Sequence, residues 1–266
     1  MNGELAQIIA LILYGNEYLS SHEKSVPELL TSHSTFQFVS DLTFEKEKSL
    51  LDNFRKSSTP VKDTHTWFSY LRKQGVQVLK LGVLNLSGDL PQHIASAFAG
   101  GSSWVLETDK RKCWRAKWRA KDQQHPQRKF WAVEYWEQSK MPVMTDFPDI
   151  ETAYQDLEIS ITEAKIFSEK NKLGWENWFA EAIELLHNLA PVLPYHNDLL
   201  PPSNNNIRYR QLLAGATKAW VFGGMGSWND IYFADAAQQK VYERISKSLY
   251  QAVCQSIGAV TNTKTG

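Results

Sequence analysis

Cys113-Trp114-Arg115-Ala116-Lys117-Trp118-Arg119-Ala120 alternates without a break, with Trp and Ala at even positions and Cys, Arg and Lys at odd ones. A two-residue period belongs to an extended strand, whose successive side chains point to opposite faces. The stretch therefore predicts a strand with one buried face and one wet, cationic face. Two further β-like runs flank it: Ser103 to Thr108, and Phe130 to Trp136 with Trp131, Val133 and Tyr135 on one side. The polar loop Lys121 to Lys129, containing His125-Pro126, joins the last two, so an antiparallel meander is expected. Val76 to Leu84 is a fourth strand candidate. It becomes apolar on both faces, which places it centrally in a sheet.

Working outward, helical spacing takes over. Residues 4–19 predict a helix that is apolar from Leu5 to Leu13. That run is shorter than the ~20 residues a bilayer needs, and no basic leader precedes it. It is read as a buried helix. Ser20 to Ser34 reads as a loop with a helical turn, and Phe36 to Val39 as a short extended piece. Glu45 to Arg55, Thr64 to Lys73 and Pro91 to Phe98 read as further helices, with Gly75 stopping the second. Beyond Phe147-Pro148 the spacing predicts helices over Ile150 to Lys170, Trp175 to Leu189, Ile207 to Phe222 and Asp235 to Ile257. A long Pro-rich loop separates the middle two. The fold class is α+β. N-terminal helices and a mostly antiparallel sheet of about four strands precede a helical C-terminal half. A boundary between regions 1–140 and 141–266 is expected within residues 138–150, although both may belong to one domain.

The chain has 266 residues and a formal net charge of zero. Nothing global favours nucleic acid or an acidic membrane as partner. Charge is uneven locally. Lys110 to Lys129 holds nine basic residues and one acid, whereas Met141 to Leu200 holds eleven acids and three Lys. Complementarity between the two halves is the simplest reading. Two distant cysteines, Cys113 and Cys254, make neither a disulfide framework nor a zinc motif, which fits a reducing cytoplasm. No cofactor or metal is implied.

Chemistry is sought first at Gly223-Gly224-Met225-Gly226-Ser227-Trp228-Asn229-Asp230. Its glycines break a helix, and Gly223 or Gly224 would serve as a left-handed C-cap. One reading is a tight corner with Met225 and Trp228 plugged into the core. The other is a small polar pocket made by Gly224, Gly226, Ser227, Trp228, Asn229 and Asp230. The spacing is not that of a dinucleotide or phosphate loop. Together with Gly174-Trp175-Glu176-Asn177-Trp178-Phe179, the segment resembles a family of small uncharacterised bacterial proteins carrying a Gly-Gly-Met-Gly-Ser-aromatic-Asn-Asp motif. The likeness runs from Asn171 to Phe233, with a Pro/Asn-rich insertion, and implies a shared fold element rather than a reaction.

Three other features are weighed. Arg115, Lys117 and Arg119 would project together from one strand face, but the neighbouring Trp residues alternate to the other, so a stacking platform for nucleic acid is not expected. His196 near Asp198, with His187 approaching, is compatible with acid–base work. Cationic neighbours of Cys113 would lower its thiol pKa. The leading expectation is a cytoplasmic binding or interaction protein whose partner is an unknown protein or small molecule. The alternative is a hydrolase or transferase with its pocket around Trp228, Asn229 and Asp230.

Overall fold

The computed structural model describes residues 1–21, 32–45, 61–84, 92–95, 104–138, 143–144 and 146–263. Most of the expected helix at 45–55 lies outside them, as do Gly100-Gly101 and parts of the expected helix at 91–98. The helices are α1 (Gly3–Ser20), α2 (Thr64–Lys73), α3 (Gln92–Ala95), α4 (Ile150–Asn171), α5 (Glu176–His187), α6 (Ile207–Lys218) and α7 (Ala236–Asn262). The strands are β1 (Val39–Glu45), β2 (Leu79–Leu84), β3 (Trp104–Thr108), β4 (Cys113–Ala120), β5 (Trp131–Gln138) and β6 (Val143–Met144). The protein is α+β.

The capping chemistry is regular. Asn2, Asp63, Asp149, Asn206 and Asp235 each accept a backbone N–H in the first turn of the helix they precede. Each satisfies a donor that the helix itself leaves unpaired. Gly75 ends α2 as predicted, with φ at +74°. Its N–H reaches the Arg72 carbonyl, and Val76 N–H reaches the Leu71 carbonyl, the paired bonds of a Schellman stop. That stop occupies the first residues of the expected 76–84 strand, so β2 begins only at Leu79.

The sheet has six strands in the order β1-β5-β4-β3-β2-β6. Its middle is the expected meander: β3, β4 and β5 run antiparallel, with Trp114 opposite Glu137 and Trp118 opposite Val133. β1 pairs parallel with β5, placing Phe44 beside Tyr135. On the core face Phe44 stacks on Trp67 at 4.2 Å between ring centroids, and Trp114 meets both edge-on. The clean alternation of β4 holds only in part. Trp114 is buried, but Ala116 and Trp118 are half-buried and Ala120 is exposed.

α1 forms a middle layer. Leu5, Ile8, Ile9, Leu11 and Ile12 are all fully buried, and so is Gln7. A helix apolar on every side belongs inside. Gln7 is satisfied by Tyr135, whose hydroxyl donates to its Oε1, and by the Thr35 carbonyl, which accepts from Nε2. Gly15 lets α1 approach β2, since a Cβ there would meet Leu79 and Phe68 at 2.6 and 2.7 Å. Beyond α1, the buried residues of α4 to α7 continue the same apolar cluster. The core is thus continuous across residues 138–150.

Where β6 is too short to cover β2, two asparagine side chains do so. Leu79 N–H donates to Asn16 Oδ1 (2.7 Å) and its carbonyl accepts from Asn16 Nδ2 (2.9 Å). Leu81 is held in the same two-bond manner by Asn262, at 2.7 and 3.0 Å. Asn16 comes from α1 and Asn262 from the end of α7.

Charge complementarity does not join the halves. Lys112, Arg119 and Lys121 pair with Glu137, Glu134 and Asp41, all from the sheet. Glu151, Glu163 and Glu181 pair with Arg208, Arg244 and Lys218, all from the helices. Among the described residues only His33 and Asp198 approach across the two regions as an ion pair, at 3.8 Å. Neighbouring strands and helices offer closer counter-charges than a distant half, so each region neutralises itself.

Candidate functional site

The glycine corner starts earlier than its glycines. α6 ends at Lys218, and Ala219 to Phe222 follow as irregular, buried chain, with Trp220 Nε1 donating to the Phe222 carbonyl. The expected left-handed cap at Gly223 or Gly224 is not formed. Within the segment only Gly226 is left-handed, at φ +81°. Ser227 caps a short 3-10 turn over Trp228–Asp230, and its hydroxyl donates to the Gly223 carbonyl at 3.1 Å. Asp230 Oδ2 accepts from Gly226 N–H at 2.5 Å, and Asn229 Nδ2 donates to the His93 carbonyl at 3.1 Å. Asn229 Oδ1 is buried without a partner.

Trp228 is fully buried among Phe167, Trp175, Phe179 and Tyr242. Its indole N–H donates to Ser246 Oγ at 2.7 Å, and Tyr242 donates to its carbonyl at 2.5 Å. Met225, expected in the core beside it, is fully exposed instead. Gly226 turns the chain outward there, and no wall stands above Met225. Gly224 and Gly226 are likewise exposed, with no neighbour within 4 Å of where a Cβ would stand.

On the cationic strand face, Lys117 and Arg119 are exposed and Arg115 is half-buried. Arg119 is bound by Glu134, which also stands opposite Lys117 in the register. Arg115 lies near Glu4 of α1. Burial pushes that carboxyl up to about 7, and the Arg115 charge opposes the rise. At the exposed end of the sheet Phe38 stacks on Phe130, 6.2 Å between centroids, beside Trp131. Arg128 lies over the Phe38 ring at 5.5 Å, while the strand cations Arg119 and Lys121 are paired with Glu134 and Asp41, so the rings meet one cation and not a row of unpaired strand cations. Cys113 is also unlike the expectation. Burial, and then Glu107 and Glu137, push its thiol up rather than down. Burial and the two carboxylates outweigh the basic residues that share its strand face.

His196 and Asp198 do come together, but with His33 and Ser34 rather than His187. His187 Nε2 lies 2.7 Å from Glu158 Oε1 on the surface. Asp198 Oδ2 accepts from Ser34 N–H at 2.7 Å, and its Oδ1 accepts from the Ser34 hydroxyl. His196 Nδ1 lies 2.8 Å from Ser34 Oγ. Because the hydroxyl proton already goes to Asp198, Nδ1–H of His196 must donate to Ser34. The order is therefore His196–Ser34–Asp198, with the hydroxyl in the middle. A nucleophilic triad needs the imidazole in the middle, as base toward the hydroxyl. This constellation ties two loops together and does not activate Ser34.

His33 completes the tie and is buried, 5% exposed. Its Nε2 is 2.9 Å from the Asp198 carbonyl, which only accepts, so Nε2 carries a proton. Its Nδ1 accepts from Thr35 N–H at 3.2 Å and lies 2.9 Å from Thr35 Oγ1. The hydrogen bonds thus fix one neutral tautomer. Burial holds the His33 pKa below 6.5, outweighing the pull of Asp198. Tyr14 of α1 donates to the same Asp198 carbonyl at 2.8 Å. Burial would raise the Asp198 pKa, but the Ser34 hydroxyl and amide outweigh it and hold that carboxyl low. Ser34 and His196 are 162 positions apart, so no local pattern announces the group.

The loop that carries His196 also forms a groove. α5 buries Phe179, Ala182 and Leu186 against Trp228 and the core, and turns Trp178, Glu181 and Leu185 outward. With Val192, Pro194 and Tyr195 these line a groove of about 500 Å³. Val192 and Tyr195 are 69% and 65% exposed, and adjacent Leu189 is 81% exposed. Lys218 closes one end, its Nζ 3.4 Å from the Trp178 ring and 2.5 Å from Glu181. Glu184 stands on the rim. The signal was present in the sequence as apolar residues within a Pro-rich loop, where water should have been met by polar ones.

Among the described residues no three His, Cys, Asp or Glu side chains assemble as metal ligands, and no helix is long and apolar enough to cross a membrane. No protein-family model, curated protein or solved structure matches the chain.

Proposed function

We propose that this is a cytoplasmic binding protein that takes a segment of another protein into the groove between α5 and the 188–206 loop. The observation that carries this reading is the apolar lining: Val192 and Tyr195 face solvent in one concave surface with half-buried Trp178 and Leu185. Contiguous exposed apolar surface with a polar rim is characteristic of recognition sites. The rim sets the partner's chemistry. Glu181 is already paired with Lys218, and no ion pair engages Glu184 among the described residues. The fitting segment has an aromatic or aliphatic anchor with a Lys or Arg beside it. Two free thiols support a reducing compartment, and the pairing of Arg119 and Lys121 with Glu134 and Asp41 argues against a nucleic-acid partner. In this reading the bacterial-type glycine motif is a corner. It fixes Trp228, and Trp228 fixes the α5 face opposite the groove.

The test is selection of peptides from a displayed library on the intact protein, followed by titration of synthetic copies. Enrichment for an aromatic or aliphatic residue next to Lys or Arg is expected. Binding should weaken about tenfold in Glu184→Lys and in Val192→Asp, corresponding to about 1.4 kcal/mol. Peptides indifferent to both substitutions would remove this function. An enzymatic corner is the second reading, favoured by the unpartnered Asn229 Oδ1. It requires a ligand that donates to that atom, and hence binding abolished by Asn229→Leu in a fully folded variant.

A further inference from the structure

The groove wall is held by a group whose capping bond depends on its charge state. His33 donates through Nε2 to the Asp198 carbonyl and accepts through Nδ1 from Thr35 N–H. A second proton has to go on Nδ1. There it donates to Thr35 Oγ1, 2.9 Å away, but the Thr35 N–H loses its acceptor and the 3-10 turn Ser34–Phe36 its N-cap. That turn presents Ser34 N–H and Oγ to Asp198, so the cap and the loop contact share one support. We propose that His33 is an acid-sensitive latch: neutral, it clamps the 188–206 loop against α1 and keeps the groove wall in place, and protonated, it releases that loop.

Among the described residues, the charged and titratable groups near the ring come from the 188–206 loop and from the N-terminal segment with α1. From the loop come Asp198, whose Oδ1 lies 3.8 Å from Nε2, and His196. Asp198 would attract a cation. However, both its oxygens already accept bonds from Ser34, and the ring is buried. His196 repels a charged His33 and is itself pushed low by burial. From α1 come the Tyr14 ring, edge-on at 5.3 Å, and, beside His196, the buried Met1 amino group with its pKa lowered to about 5. His196 keeps its own bond in either charge state, because Nδ1–H donates to Ser34 and Nε2 is left to take the proton. His33 alone cannot.

The pH window follows. Above 6.5, the ordinary histidine value, folded and unfolded His33 are both neutral and the latch contributes fully. As pH falls below it the unfolded or released ring takes up a proton that the latched ring refuses, and the latched state loses ground. The consequence for partner binding rests on the groove reading. The latch itself does not.

The experiment is imidazole ¹⁵N NMR and amide hydrogen exchange on the intact protein between pH 7.5 and 5. At pH 7.5 His33 should appear as the neutral Nε2–H tautomer. The protection of amides such as Leu199 and Asn204, corrected for the intrinsic rate, should fall about tenfold per pH unit once pH passes below the free histidine value. His33→Asn can still cap the 3-10 turn but cannot titrate, so its exchange should be flat across the same range. An Nδ1–H or charged ring at pH 7.5, or wild-type protection unchanged at pH 5, overturns the latch. If His33→Asn does not fold, the wild-type ring state and exchange profile decide alone. Peptide binding is read separately at pH 7.5. Its failure, with the exchange response intact, removes the groove function and leaves the latch standing.

Discussion

The glycine corner and the His33–Asp198 tie use the same chemistry, and they differ in reach. In the corner, Asp230 bonds a backbone amide four residues away and the Ser227 hydroxyl bonds a carbonyl four residues away. In the tie, one aspartate holds an amide and a hydroxyl 164 residues away. In the first motif Ser227 and Asp230 give their polar groups to its own backbone, and Asn229 reaches the His93 carbonyl. The second leaves its members incomplete until α1 and the 188–206 loop are brought together. A compact polar motif is therefore conspicuous in the sequence because it is locally sufficient. That same sufficiency leaves Asp230 little to offer a ligand.

Three substitutions break or sharpen this contrast. Trp228→Ala should have the largest effect, about 3–5 kcal/mol, because it empties the core under the corner and strands the Ser246 hydroxyl. Thermal or urea unfolding reads it, and Trp228→Phe gives a smaller, measurable loss if the alanine variant does not fold. Asp198→Asn should follow at about 1–3 kcal/mol, since two donors on Ser34 lose a charged acceptor. Its exchange signature should appear at both ends of the tie, near residues 34 and 198. Asp230→Asn should be the mildest, below about 1 kcal/mol, as expected for a single local cap. A larger loss there, with α5 or α7 amides deprotected, would show that the corner reaches further than its hydrogen bonds.

The same distinction explains what could be read without coordinates. β4 was legible to the residue because alternation is a local property, and so were α2 with its Gly75 stop and the boundaries of α4. The parallel pairing of β1 with β5 was not, since nothing in Val39–Glu45 names its neighbour. Helix α6 was expected to reach Phe222. It stops at Lys218: past Ala219 the Trp220 N–H turns to Thr217 and the Val221 N–H to Ala219, so the helical i→i−4 ladder is lost. The apparent charge match between halves failed because composition counts charges without placing them. At the site, His196 and Asp198 were visible as a pair. His33 and Ser34, which give that pair its meaning, lie in a stretch with no motif of its own.

The two asparagines on β2 close a strand edge from within the molecule. An uncovered strand edge offers a row of amides and carbonyls to any extended segment that drifts past. Asn16 and Asn262 spend their amide groups on that row, so a second copy finds nothing there to pair with. Replacing either with leucine preserves side-chain bulk but leaves the buried amide and carbonyl of Leu79 or Leu81 unpaired. The expected result is a chain less stable by about 1–3 kcal/mol in urea unfolding, with no gain in self-association.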